Sequence, residues 1–358
     1  MASLRSLPSV AVVIFSVVAS LAANENRRLD TRVVTDNLGR RIVLPARVVR
    51  VLSLQPEITR LIVALGAADR LAGIDFFLRH YDPFFCLIFP GQARLPVVSM
   101  ADYNFNPEAV ARLAPDLIFG APEDKAVVDV LQKKAGVPTL ALSSLGRFER
   151  LLFELRLLGE ILDRRERAAE LESLISGRIA RVREKTSTLP ASLRPRVYLS
   201  FWGLATQTPV FYEPVNAAGG INVAERLAPS FPETIVAVVN LERLIAWNPD
   251  IILVHGNYPP RFRKVTPATF LADPRLAGVK AVRDGRVFYI FGFWNWWDPA
   301  QAVLDTVLLA HLFHPSLFPD FDMKKEADAV FRAFYGLDRG FDALSGILDC
   351  RAWFNEHP

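Results

Sequence analysis

The chain has 358 residues, a formal charge of +4, and 51% hydrophobic and 22% charged residues. That length suffices for two domains with sizeable cores, and the composition is that of a folded protein rather than a disordered one. The basic residues are spread along the chain without a block, so the charge pattern gives no footprint for nucleic acid.

The first segment is a targeting signal. Arg5 supplies the positive start, residues 9–21 the short apolar core, and Ser20 and Ala22 the small residues that a signal peptidase reads. Residues 1–22 are therefore expected to be a signal peptide, and the apolar run is too short to span a membrane comfortably. The mature protein is expected in the periplasm, and no cysteine near the cleavage site offers a lipid anchor. Cys86 and Cys350 lie far apart, and an oxidising compartment permits a disulfide between them. The sequence leaves that pairing open.

Residues 32–44 read as two β-prone runs around Asp36-Asn37-Leu38-Gly39, a hairpin signal. A buried-type strand follows at 48–54, then a helix opened by Pro56 and closed by Gly66, then a strand at 71–75. Further apolar runs at 116–120 and 137–142 flank a helix expected over 123–135. Alternation of strand and helix at this spacing marks an α/β lobe with a parallel sheet. The pattern returns with strands at 196–201, 250–254 and 287–290 and a helix over 298–313.

Between the two halves lies a stretch, 147–185, without proline. Leu151, Leu155, Leu158, Leu162, Ala169, Leu171, Ile175, Ile179 and Val182 form one stripe at helical spacing, with Arg164, Arg165, Glu166, Arg167, Glu170 and Arg181 opposite. The spacing predicts one helix roughly 55 Å long, enough to join two lobes.

An internal repeat supports two similar lobes. Asn106-Pro107-Glu108 leads, after six residues, to Pro115-Asp116-Leu117-Ile118, and Asn240-Leu241-Glu242 leads likewise to Pro249-Asp250-Ile251-Ile252. In each copy Asn is placed to cap a short helix, Glu sits in its first turn, and Pro-Asp ends it and launches a strand.

Taken in order, these segments resemble the periplasmic binding proteins that serve ABC importers of iron–siderophore complexes, haem and cobalamin. The resemblance runs through VVTDNLGRRIVLP, RVVRVLSLQPEITRLIVALGAADRLAGID, PEAVARLAPDLIFG, LERLIAWNPDIILVHG, AAGGINVAE at 217–225 and the tail HPSLFPDFDMKKEADAVFRAFYGLD at 314–338. It implies an α/β fold of two Rossmann-like lobes with parallel-rich sheets, joined by a single long α-helix. The expected limits are a lobe at 23–145, the linking helix at 146–188, a second lobe at 189–313 and a helical extension at 314–358. It further implies capture of an iron complex, siderophore or haem, in the inter-lobe cleft, with a corrinoid as alternative, and no intrinsic cofactor. The partner it implies is an ABC permease with its ATPase, onto whose arginines Glu108 and Glu242 dock; the protein itself is expected to be a monomer. The chain departs from the family at Thr59-Arg60, where a Thr-Glu pair is common, and carries Glu57 just before it.

Ligands in α/β sheets sit outside the carboxyl ends of the strands. That rule nominates Gln55 and Glu57, then Phe76, Arg79, His80 and Tyr81, then Tyr103 in the first half. In the second half it nominates Trp202, Tyr212, Glu213 and His255, then Trp294, Trp296 and Trp297. The tryptophans offer flat area for a bulky, partly planar ligand. Arg79 and His80 suit a carboxylate or catecholate. Glu57, Asp75, His80, Tyr81, Asp102, Tyr103, Glu213 and His255 are the side chains able to ligate a metal, but no HxH, HExxH or CxxC spacing joins them. A metal held inside its own chelator is therefore the expectation. The reading from another class is a metal-dependent enzyme on the same two-lobed frame, against which stands the lack of a nucleophile elbow, phosphate loop or triad.

Overall fold

In a computed structural model the described residues are 32–350, apart from 100–104, 123–124, 145, 202–203, 232–233, 258 and 293–297. The signal segment and Tyr103, Trp202, Trp294, Trp296 and Trp297 lie outside them. The chain opens with the expected hairpin, β1 (Arg32–Thr35) against β2 (Arg41–Leu44), turned at Gly39 with φ 73°. The first lobe then contains β3 (Val51–Ser53), α1 (Pro56–Ala64), β4 (Leu71–Gly73), α2 (Phe76–Tyr81) and α3 (Pro83–Ile88). It continues with α4 (Pro107–Arg112), β5 (Leu117–Gly120), α5 (Lys125–Ala135) and β6 (Thr139–Ala141).

Two helices follow, α6 (Phe148–Ile161) and α7 (Arg165–Thr186). The second lobe comprises β7 (Arg196–Ser200), β8 (Gln207–Pro209), α8 (Glu213–Ala217), β9 (Ile221–Asn222), β10 (Val236–Val238) and α9 (Leu241–Trp247). Next come β11 (Ile251–His255), α10 (Pro267–Leu271), α11 (Lys280–Arg283), β12 (Val287–Ile290) and α12 (Pro299–Phe313). The extension is α13 (Met323–Tyr335) and α14 (Gly340–Leu348).

Each lobe has a four-stranded parallel sheet, ordered β4-β3-β5-β6 in the first and β9-β7-β11-β12 in the second. Renumbered within its own lobe, each sheet runs 2-1-3-4. The strands are buried on both faces, as parallel sheets with helical crossovers require. Two α/β lobes of one topology, joined by the long helix α7, are thus present.

The sequence repeat has a structural reason beyond capping. Asp116 accepts hydrogen bonds from the amides of Val49 (2.8 Å) and Arg50 (2.9 Å), while its own amide donates to Arg50 O (2.8 Å). Asp250 does the same in the second lobe: its carboxylate accepts from Arg196 N (2.8 Å) and its amide donates to Arg196 O (2.8 Å). Each aspartate therefore fastens the first strand of its sheet to the third. The residues two before them, Ala114 and Asn248, both sit at φ 44°, the left-handed turn that ends each short helix.

The helix expected over 147–185 is broken. Leu162, Asp163 (φ 53°) and Arg164 form a turn, after which the chain folds back so that Arg156 reaches Glu172 at 2.6 Å. In one continuous helix those residues stand about 24 Å apart. Gly159 allows the turn: a Cβ there would meet the Ala168 Cβ at 2.5 Å. The joining helix is α7 alone, 22 residues and about 33 Å long.

One hydrophobic core runs through both lobes, from Ile42 and Phe119 to Val197 and Leu253. Its centre is α12, buried on nearly all sides, as an all-round apolar helix must be. Phe331 of α13 packs against Phe84 of α3 with ring centroids 5.0 Å apart. Arg167 of α7 donates to Ala64 O at the end of α1 (3.2 Å) and to Ala333 O near the end of α13. One guanidinium thereby satisfies terminal carbonyls of two helices.

Candidate functional site

The loops and helices that follow the strands' carboxyl ends meet around a cavity of about 540 Å³. From the first lobe come Arg79, His80 and Tyr81 of α2 with Cys86 of α3; from the second come Arg261 and Phe262, beyond the end of β11. Tyr81 and Phe262 face each other between the lobes with ring centroids 5.6 Å apart.

The α2 wall is held from below. Asp75, directly after β4, accepts from the amides of Phe77 (2.8 Å) and Leu78 (3.1 Å), and Ser99 Oγ accepts from Phe76 N (2.9 Å). Phe76 packs on His80 at 4.4 Å and on Tyr81 at 5.8 Å between centroids. Arg79 donates to the carbonyls of Gln92 and Leu95, the latter at 2.6 Å, and its Nε is buried with no partner among the described residues. Arg79, His80 and Arg261 are the ionisable nitrogen groups of the described lining, which contains no carboxylate.

Beneath this wall runs a buried ionic cluster. Arg60, 1% exposed, pairs with Asp82, the residue between α2 and α3, and lies 3.9 Å from Asp298, the N-cap of α12. Tyr335 of the extension donates to Asp298 at 2.9 Å. Burial pushes the Asp298 carboxyl up to about 6, against the pull of Arg60 and of bonds from Gln301 N and Tyr335. Arg60 thus ties the first lobe to α12 and the extension.

The structure brings together Arg79, His80 and Tyr81 of the expected set, with Phe76 packed behind them. The others nominated by sequence and described do not line the cavity. Gln55 is fully buried and spends its side-chain oxygen capping α1 at Ile58 N (3.0 Å). Tyr212 has no exposed surface; its hydroxyl donates to Asp305, which also accepts from Phe291 N (3.0 Å) and Gly292 N (2.8 Å). Glu213 accepts from Phe148 N at 2.6 Å and from Arg183, joining α8 to the start of α6 and the end of α7. The Gln55 oxygen, the Tyr212 hydroxyl and the Glu213 carboxylate are thus committed to the frame, and none of the three residues lines this cavity.

Glu57 is buried, and that burial lifts its carboxyl to about 7, opposed by hydrogen bonds from Ser144 and Gln55 and by Arg60. His255 ends β11 stacked on Phe201, with ring centroids 5.5 Å apart, and burial drives its pKa down to about 3, so it is neutral at ordinary pH. Gly292 (φ 62°) leaves room for that ring: a Cβ would meet it at 2.8 Å. Among the described residues no three His, Cys, Asp or Glu side chains form a group able to hold a metal ion, and Cys86 and Cys350 are free thiols.

Sequence reasoning missed Arg261, Phe262 and Ile347 as lining residues. The first two had a signal: Pro259-Pro260 stiffens a loop just past a strand end, and Arg261, Arg263 and Lys264 follow. Ile347 had none, because it comes from the far end of the chain. Glu108 and Glu242 are exposed, each in the first turn of a helix capped by Asn106 or Asn240. Each helix turns back through Pro-Asp into its strand, which sets both glutamates toward the strands' carboxyl-end face. No helix among the described residues is long and apolar enough to cross a membrane.

Comparison with known proteins agrees with this architecture. The chain is 25% identical over 333 residues to the molybdate-binding protein MolA of Haemophilus influenzae, covering 86% of this chain and 92% of that one. The solved structure of MolA bound to molybdate superposes with a TM-score of 0.70 at 21% identity, over 85% of this chain and 98% of MolA. Helicobacter pylori CeuE, in a Ni-His complex, gives 0.70 at 17% identity, over 88% and 98% of the two chains. The periplasmic haem-binding protein HutB of Vibrio cholerae gives 0.56 at 21%, over 74% and 99%. Residues 51–291, spanning both sheets and the helix between them, match the periplasmic binding protein family, and the chain belongs to that family of ABC-importer binding proteins.

Proposed function

We propose that this protein captures an anionic metal complex in its inter-lobe cavity outside the cytoplasmic membrane and hands it to the permease of an ABC importer. The observation that carries the reading is the lining itself: Arg79, His80 and Arg261 converge with two aromatic rings and, among the described residues, no carboxylate. The guanidinium of Arg79, held by the Gln92 and Leu95 carbonyls, offers an anion a charged partner at the cavity wall. A cavity of about 540 Å³ suits a chelate-sized ligand such as a ferric catecholate or carboxylate siderophore or haem. The absence of a three-residue metal group among the described residues favours a metal that arrives in its own chelator. A corrinoid of the same size is the weaker fit, since it offers the arginines less negative charge. Among the described lining residues, burial raises the Cys86 thiol rather than activating it, and binding rather than catalysis is the role proposed. Glu108 and Glu242, exposed and matched in the two lobes, are the proposed contacts to permease arginines.

A second reading has its own support. MolA binds molybdate, and two arginines with a histidine also suit a bare tetrahedral oxyanion. Titration calorimetry of the mature protein with ferric tris-catecholate, haemin, molybdate, tungstate and cyanocobalamin separates the readings. Binding of the catecholate or haemin supports the chelate. Binding of molybdate and tungstate alone replaces it with the oxyanion, and binding of cyanocobalamin alone refutes both. Arg79→Ala should weaken the true ligand by about tenfold or more, the cost of one charged hydrogen bond.

A further inference from the structure

The C-terminal extension does more than cover the back of the molecule. Leaving α12, it crosses the joining helix, where Arg178 pairs with Glu326 at 3.2 Å, and packs Phe331 and Tyr335 on Phe84 of the first lobe. It then turns through α14 and returns to the cleft as a strap, where Ile347 joins Cys86, Arg261 and Phe262 in the cavity wall. Its end is fastened to the second lobe: Arg263 donates to Leu348 O through Nη2 and to Gly256 O (3.2 Å) through Nε. The Arg263 guanidinium also lies over the Tyr289 ring, 5.3 Å from its centroid. Arg263 therefore connects the end of β11, β12 and the strap, one residue after the cavity-lining Phe262.

We propose that α14 is a specificity element of the ligand cavity, with Ile347 setting the size of the pocket and Arg263 as the positioning residue that fixes Ile347 against Phe262. The proposal rests on the reading of this cavity as the ligand site, and it concerns which ligands fit rather than whether an anion binds. An apolar, half-buried side chain at the wall admits the flat or greasy periphery of a chelate and contributes nothing to a small hydrated oxyanion. A side chain from the end of the chain can change without disturbing either sheet.

The cavity contains its own reporter. Cys86 is a half-exposed free thiol in the lining, whereas Cys350 is buried. The rate at which fluorescein maleimide labels Cys86 reads access to the cavity without any ligand, with Cys86→Ser assigning the signal and the unreactive Cys350 reporting an intact fold. Ile347→Ala and Arg263→Gln should each speed labelling by about fivefold or more, and Ile347→Trp should slow it by a similar factor. In parallel, Ile347→Trp should weaken ferric tris-catecholate by about tenfold or more and leave molybdate within about threefold. Labelling rates unchanged in all three variants overturn the proposal whatever the protein binds. So does unaltered catecholate affinity in Ile347→Trp when the wild type binds that probe. If the wild type binds no metal anion while labelling responds as stated, the ligand reading falls and the strap stands.

Discussion

Replacing Arg60 by methionine removes the cation that holds Asp82 and Asp298 together inside the protein. Methionine is of similar length and apolar, so the packing loss is small and the electrostatic loss dominates. Both partners are nearly sequestered from solvent, with side-chain exposures of 10% for Asp82 and 2% for Asp298. Breaking a buried pair in this way costs about 3–5 kcal/mol, because carboxylates are left without a counter-charge. The cost depends on pH with a definite sign. Asp298 already titrates at about 6 in the folded state, above its ordinary 3.8, because burial outweighs Arg60. Without Arg60 its folded pKa rises further, and the folded state takes up a proton that the unfolded state does not hold. Below about 6 the group is neutral with or without Arg60 and the penalty is small; as pH rises from there to the variant's folded pKa the penalty grows, and above that pKa it is complete. Urea unfolding at pH 8 should therefore show the loss of about 3–5 kcal/mol, and unfolding at pH 5 a distinctly smaller one. A loss below about 1 kcal/mol at pH 8, or the same loss at both values, would refute the reasoning.

The wild type should itself lose stability between pH 5 and 8, because burial lifts Glu57 and Asp75 to about 7 and Asp305 to about 6, so the folded state binds more protons across that window; a flat urea midpoint over the range contradicts it. Ala114→Gly should stabilise by about 0.5–1 kcal/mol, since alanine is held at φ 44° where glycine is unstrained; Asn248, its counterpart, should lose about as much on mutation to valine, a β-branched residue poorly suited to that turn. Charge reversal of Glu108 and Glu242 together should leave ligand affinity intact and abolish uptake through the cognate importer, and normal uptake by the double variant would reduce the repeat to a structural role.

The features legible in the sequence were those written in local chemistry. Gln55-Pro56, Asn106-Pro107 and Asp298-Pro299 announced helix starts, and the recurrence of Pro-Asp before DLI and DII announced matched strands. The break at 162–164 was masked because Ala169, seven residues after Leu162, carries the apolar stripe across it, although Leu171 falls nine after Leu162, half a turn out of phase. Gly159, too tight for a Cβ against Ala168, also recorded the fold-back, but a single glycine in a helical pattern is weak evidence. At the site, the rule of strand carboxyl ends found α2, but it did not separate side chains aimed at the cavity from those bracing it. Tyr212 and Glu213 sit where that rule points, yet a partner from a distant helix, Asp305 or Arg183, claims each. Such pairings across 93 and 30 residues leave no local trace.

The continuous core has a consequence for the order in which the molecule is made. The first lobe completes its burial against α12 and α13: Arg60 needs Asp298, and Phe84 needs Phe331 and Tyr335. Those residues follow the whole second lobe in the sequence, so the early-emerging strands wait, incompletely packed, until it has been made. Until α12 and α13 arrive the first lobe stays loose, and their docking locks it into shape.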